Sequence, residues 1–148
     1  MRRGRVAIAA VLAVLSGLVF AGSALACSCA PTPPVESLAE ADAAVVGRLL
    51  GVEPRGSVRA EYRYEVLRVF RGHGTITRGS VLKVTSPRGS AACGLPDRIG
   101  QRFGLFLLGE PGHWASGLCG VISPRRLWRA ATKPGARQPA ASTTSCAS

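Results

Sequence analysis

Cysteine stands at positions 27 and 29, directly behind the stretch Ala24-Leu25-Ala26 that closes an apolar run near the start of the chain. No other feature limits the fold as strongly. Two sulfurs separated by a single residue close a strained ring if they bridge each other, so each needs a distant partner. Arg2, Arg3 and Arg5, the apolar run Val6 to Phe20 and the A-x-A site have the three parts of a secretory signal over residues 1–26, which makes Cys27 the first residue of the mature chain. All five cysteines, Cys27, Cys29, Cys93, Cys119 and Cys146, lie behind that site, as expected for a chain delivered to an oxidising, extracellular compartment. Two other fates of the segment stay open. Val6 to Leu25 is about 20 residues, long enough to span a bilayer if it is not cleaved. A cysteine directly behind the cut can also carry lipid, although Ala24 stands at the −3 position where the bacterial lipoprotein signal usually has leucine.

Removal of the signal leaves 122 residues with 16 basic and 8 acidic side chains, enough for one domain and too few for two cores. The net charge of +11 for the whole chain would suit nucleic acid, but an exported protein meets no chromosomal DNA. Its basic groups face anionic wall polymer, acidic proteins or membrane surface, or simply water. Arg125-Arg126-x-x-Arg129 reads the same way, as a solvated face with an anionic polymer as the alternative contact. There is no GxxxxGK[ST] loop and no HExxH. The two histidines, His73 and His113, sit in glycine-flanked turns, and eight scattered acids form no triad or carboxylate pair, so neither an enzyme nor a cofactor is expected. Cys27-x-Cys29 is also too closely spaced for the paired cysteines of a structural zinc site.

Along the mature chain, Pro31, Pro33 and Pro34 lead into a short helix at Val35 to Ala41. Ala43 to Val52 is an apolar run of strand length. Glu61 to Phe70 alternates Tyr62, Tyr64 and Val66 against charged residues, then shifts phase to Leu67 and Val69, the mark of a β-bulge. Ser80 to Thr85 and Gln101 to Leu108 are two further strands, and Trp114 to Ile122 is a weaker fifth. Trp114 and Trp128 read as packing residues. Short strands joined by Gly- and Pro-rich turns, with one or two small helices, predict an all-β domain over residues 27–129. A five-stranded Greek-key barrel of the OB type is the smallest common solution. From Ala130 to Ser148 no periodicity remains, and a disordered tail is expected, with Cys146 left over for intermolecular pairing or as a free thiol.

The four cysteines within the folded part allow three pairings, of which Cys27 with Cys29 is the least favourable. Both remaining pairings tie the triplet to two distant points, and each long loop so closed stabilises by roughly 4 kcal/mol in the chain-entropy model.

The opening Cys27-Ser28-Cys29-Ala30-Pro31, the helix behind it, Ala41-Asp42-Ala43-Ala44-Val45-Val46-Gly47-Arg48, Tyr64 to Gly72, Ser90-Ala91-Ala92-Cys93-Gly94 and Leu118-Cys119 resemble, in order and spacing, the N-terminal netrin-like domain of the tissue inhibitors of metalloproteinases. The resemblance covers about residues 27 to 128. Ala39 stands where animal members of that family have a further cysteine, and the family's cysteine-rich C-terminal subdomain has no counterpart here. The resemblance implies an OB-type barrel, disulfides Cys27–Cys93 and Cys29–Cys119, and an inhibitory edge formed by Cys27, Ser28, Cys29, Ala30 and Pro31 with Ser90, Ala91 and Ala92. It further implies a zinc metalloendopeptidase as partner, whose catalytic zinc the Cys27 amine and carbonyl would chelate, and a secreted, monomeric protein without a membrane span. A non-inhibitory extracellular module that binds anionic wall polymer or another exported protein, free or lipid-anchored, is the alternative.

Overall fold

The computed structural model describes residues 27–72 and 74–134. Residues 1–26, where a secretory signal is expected, His73 and Cys146 lie outside these residues.

Helix α1 (Pro34–Glu40) begins with proline at its first position, where no amide donor is needed, and ends at the extended Ala41. Two long strands follow, β1 (Ala43–Arg55) and β2 (Arg59–Arg71), paired antiparallel over their whole length. The ladder slips at three places, Ala44/Val45, Val46/Gly47 and Leu49/Gly51. The second slip leaves Leu67 unpaired, at the position where the sequence changes phase. Beyond it Val69 returns to the barrel interior, while Leu67 packs outside. These bulges bend the two strands enough for β1 to pair on its other side with β4 (Arg102–Glu110), from Ala43↔Leu107 to Arg48↔Arg102. Strand β3 (Val81–Pro87) pairs with β2 and, parallel, with β5 (His113–Ala115), which is antiparallel to β4. The order β1-β2-β3-β5-β4-β1 thus closes a five-stranded mixed barrel of the OB type, and a two-residue β6 (Val121–Ile122) pairs with β4 on the edge that also carries β5.

Alternation along the strands sends one set of side chains inward. Val45, Leu49, Tyr62, Tyr64, Val66, Val84, Leu105, Leu107 and Trp114 fill the barrel. Gly47 makes room for this filling, since a Cβ there would lie 3.0 Å from that of Tyr64. The outward set is charged and pairs across strands, Arg48 with Glu65 and Glu61 with Arg55 and Lys83. Burial tends to raise the Glu61 pKa, but the hydrogen bond and charge of Arg55 and the charge of Lys83 outweigh it and hold the carboxyl below its ordinary range.

A second apolar cluster covers the outer face near the start of β1. Leu38 from α1 and Leu127 from α2 (Pro124–Thr132) meet Ala44, Val46 and Phe106 there. Gly104 lets α2 approach closely, because a Cβ at that position would sit 3.1 Å from the Leu127 Cβ. Arg71 fixes α1 by donating from Nη1 to the carbonyls of Leu38 (3.0 Å) and Ala39 (2.9 Å).

Three expectations change. The fifth strand does not run from Trp114 to Ile122. Gly117 and Gly120 take the chain through a 3₁₀ turn at Leu118–Gly120, which divides the segment into β5 and β6. His113 is the exposed first residue of β5, and not only a turn residue. The folded domain also continues beyond residue 129, since α2 reaches Thr132 and buries Ala130.

Candidate functional site

The sequence leaves two ways of joining the cysteine triplet to its distant partners, and the structure contains one of them. Cys27 is bonded to Cys93 and Cys29 to Cys119, each with Cα atoms 5.3 Å apart. Both sulfurs of the triplet are therefore committed, and neither is free as a metal ligand. The two receiving loops are themselves joined, because the Leu118 amide donates to the Cys93 carbonyl at 2.8 Å. Gly117 permits this approach, as a Cβ there would meet the Cys93 oxygen at 3.0 Å.

The loop that carries Cys93 is a tight structure. Ser90–Ala92 forms a single 3₁₀ turn, with the Ala92 amide donating to Gly89 O (3.2 Å) and the Cys93 amide to Ser90 O (3.1 Å). Gly89 enters it at φ 84°, where a side chain would be strained. Cys93 leaves it at φ 61°, the one non-glycine residue with positive φ among the described residues. At Gly94 a Cβ would collide with the carbonyl oxygens of Pro87 and Gly89, so glycine is required.

Below this turn Leu95 bolts the loop to the barrel. Its side chain is buried, its amide donates to Ser86 Oγ at 3.1 Å, and its carbonyl accepts from the Tyr62 hydroxyl at 2.9 Å. Burial raises the Tyr62 pKa, and the charge of Asp97 adds to the effect, so the hydroxyl remains a donor well into the alkaline range. None of Tyr62, Ser86 and Leu95 stands out in the sequence as part of a site. Their contacts join residues 9 and 33 positions apart, and only the closed barrel brings them together.

The site residues read from the sequence fall into one neighbourhood. Cys27 is half-buried, whereas Ser28, Cys29, Ala30 and Pro31 are exposed and run without regular secondary structure toward α1. Ser90, Ala91 and Ala92 are exposed on the loop to which Cys27 is bonded. The result is an exposed strip of main chain, held at both ends of a three-residue stretch, beside a small exposed ridge. Such a strip has its conformation fixed before it meets a partner. Trp114 lies in the barrel core, as its type suggests, but Trp128 is 41% exposed on α2, and Arg125, Arg126 and Arg129 stand exposed on the same helix. Among the described residues no helix is long and apolar enough to cross a membrane.

Compared with protein-family models and with curated proteins, the chain gives no match to either.

Proposed function

We propose that the exported protein, beginning at Cys27, inhibits zinc metalloendopeptidases by offering its N-terminal amine and the Cys27 carbonyl oxygen to the catalytic zinc. A catalytic zinc keeps one position open for water beside its three protein ligands, and a two-toothed ligand of amine and carbonyl displaces that water. The amine must be neutral to bind. A free α-amine has a pKa of about 7.7 to 8.0, so metal binding at neutral pH releases one proton at small cost.

The observation that carries this reading is the double tether. Cys27 and Cys29 are bonded to two loops that are hydrogen-bonded to each other, and Ser28 is left exposed between them. A free chain end would have to be ordered on binding, whereas this one is already fixed. Ser28 then points its small hydroxyl side chain into the primary specificity pocket. Ala30 and Pro31 continue the substrate-like strip, and Ser90 to Ala92 supply a second ridge of contact.

The test compares the exported protein starting at Cys27 with a version carrying one additional alanine in front, over a panel of zinc endopeptidases. Inhibition by the first and its loss in the second, with both disulfides intact by mass, supports chelation. Equal inhibition by both rejects it. A correct start with no inhibition of any member moves the assignment to a non-inhibitory binding module, and an acylated Cys27 rejects both the bridge and the mechanism.

A further inference from the structure

Helix α2 has a second side that the edge does not use. Between it and the outer face of β1 and β2 lies an open cleft of about 390 Å³. Its walls are apolar: Val46 from β1, Phe70 from β2 and Trp128 from α2, the two rings packed edge to face at 5.8 Å. Its rim is cationic, with Arg68 on β2 and Arg125 and Arg129 on α2. Among the described residues no carboxylate lies within 4 Å of any of these three arginines. The Arg68 guanidinium lies 3.7 Å from the centroid of the Trp128 ring and 5.5 Å from that of Phe70, which holds it over the cleft by cation–π attraction.

These features select a type of occupant. An apolar floor gains nothing from a wholly charged polymer, and a neutral compound leaves the rim charges without partners. Residues 135–148 include Arg137 and no acidic side chain, so none of their side chains complements this rim. The complementary shape and charge belong to one apolar body of ring or short-acyl size with a single anionic group. We propose that this cleft binds a small soluble amphiphilic anion, its aromatic or acyl part against Phe70 and Trp128 and its carboxylate, sulfonate or phosphate between Arg68, Arg125 and Arg129. The cleft shares no residue with the N-terminal edge, and binding there is independent of any inhibitory activity.

The probe is anilinonaphthalene sulfonate, compared with phenylnaphthylamine, which has the same rings without the anionic group. Saturable binding of the sulfonate at one site per chain is expected, weaker by about tenfold or more in the double variant Arg125→Gln/Arg129→Gln. The neutral dye should bind that variant and the parent protein alike. Both arginines are exposed, so circular dichroism and the urea midpoint should be unchanged. Trp128→Ala should abolish saturable binding of either dye. Non-saturable binding, or equal sulfonate affinity in the parent and the double variant, overturns the proposal. Association with phosphatidylglycerol vesicles without binding of the free dye also overturns it, in favour of a lipid surface.

Discussion

Removal of the Cys29–Cys119 bridge by the double change Cys29→Ser/Cys119→Ser tests how the N-terminal strip is held. Its sequence separation is 90 residues, and in isolation such a loop is worth about 4.6 kcal/mol in the chain-entropy model. The Cys27–Cys93 bridge changes that figure, because it already draws the same two regions together in the unfolded chain. With it in place, the second bridge closes only the ring from Cys29 back to Cys27, across the first disulfide and on from Cys93 to Cys119, about 30 residues, worth about 3.6 kcal/mol. By the same count, each bridge costs about 3.6 kcal/mol to remove while the other remains, and loss of both costs about 8 kcal/mol. A domain of this size is stable by about 5 to 15 kcal/mol, so the single-bridge variant should fold and the protein lacking both should be marginal or unfolded. The assay is urea unfolding followed by fluorescence. With a slope of about 1.5 kcal/mol/M, loss of one bridge lowers the midpoint by about 2.4 M. A loss below about 1 kcal/mol would refute the reasoning, since the bridge would then not constrain the unfolded chain as the nested rings require.

Other expectations follow from single contacts. Leu127→Ala removes a fully buried side chain between α2 and the barrel and should cost about 3 kcal/mol in urea unfolding, with both disulfides still formed. Tyr62→Phe leaves the buried Leu95 carbonyl without its donor and should cost about 1 to 2 kcal/mol. Tyr64→Phe should cost less than about 0.5 kcal/mol or stabilise, because the buried Tyr64 hydroxyl has no partner among the described residues, and calorimetry separates the two variants. Burial raises the pKa of both hydroxyls, so the unfolded chain ionises first. Their contribution to stability is fully present below about pH 10 and is lost as pH rises above it, and the urea midpoint of a Tyr62→Phe/Tyr64→Phe protein should lose this dependence.

Much of the barrel is legible in the sequence because β2 and β3 alternate with period two, while β1 and β4, covered on both faces, read as apolar runs of strand length. Tyr62, Tyr64 and Val66 announce the inner face of β2, and the break in that pattern at Leu67 coincides with a slip in the ladder. The short β5 is less legible. Only Trp114 of its three residues points into the core, and pairing with β3 and β4, not its own pattern, makes it a strand. Helix α2 had a signal that charge obscured. Ser123 caps it, accepting from the Arg126 amide, Pro124 follows at the first position, and Leu127 and Ala130 lie three residues apart on one face. Arg125, Arg126 and Arg129 around them read as a solvated face or a contact for anionic polymer, and the cleft beside Trp128 has no sequence signature. For the candidate edge, spacing brings out only the cysteine triplet and its need for distant partners, while Ser28, Ala30, Pro31 and Ser90 to Ala92 enter through the family resemblance. The bolt of Tyr62, Ser86 and Leu95 depends on contacts that no local pattern encodes.

Whether the Cys27 amine reaches a protease zinc is read most directly from the visible spectrum of a cobalt-substituted endopeptidase from the inhibited set. Addition of the protein that begins at Cys27 should replace the bound water by nitrogen and oxygen ligands and change the cobalt bands. The apparent affinity should fall about tenfold for each pH unit below about 7.7, as one proton must leave the amine. The version with an additional alanine in front should leave the spectrum unaltered. Inhibition without any change in the cobalt bands, or the same change produced by the extended protein, would contradict the account.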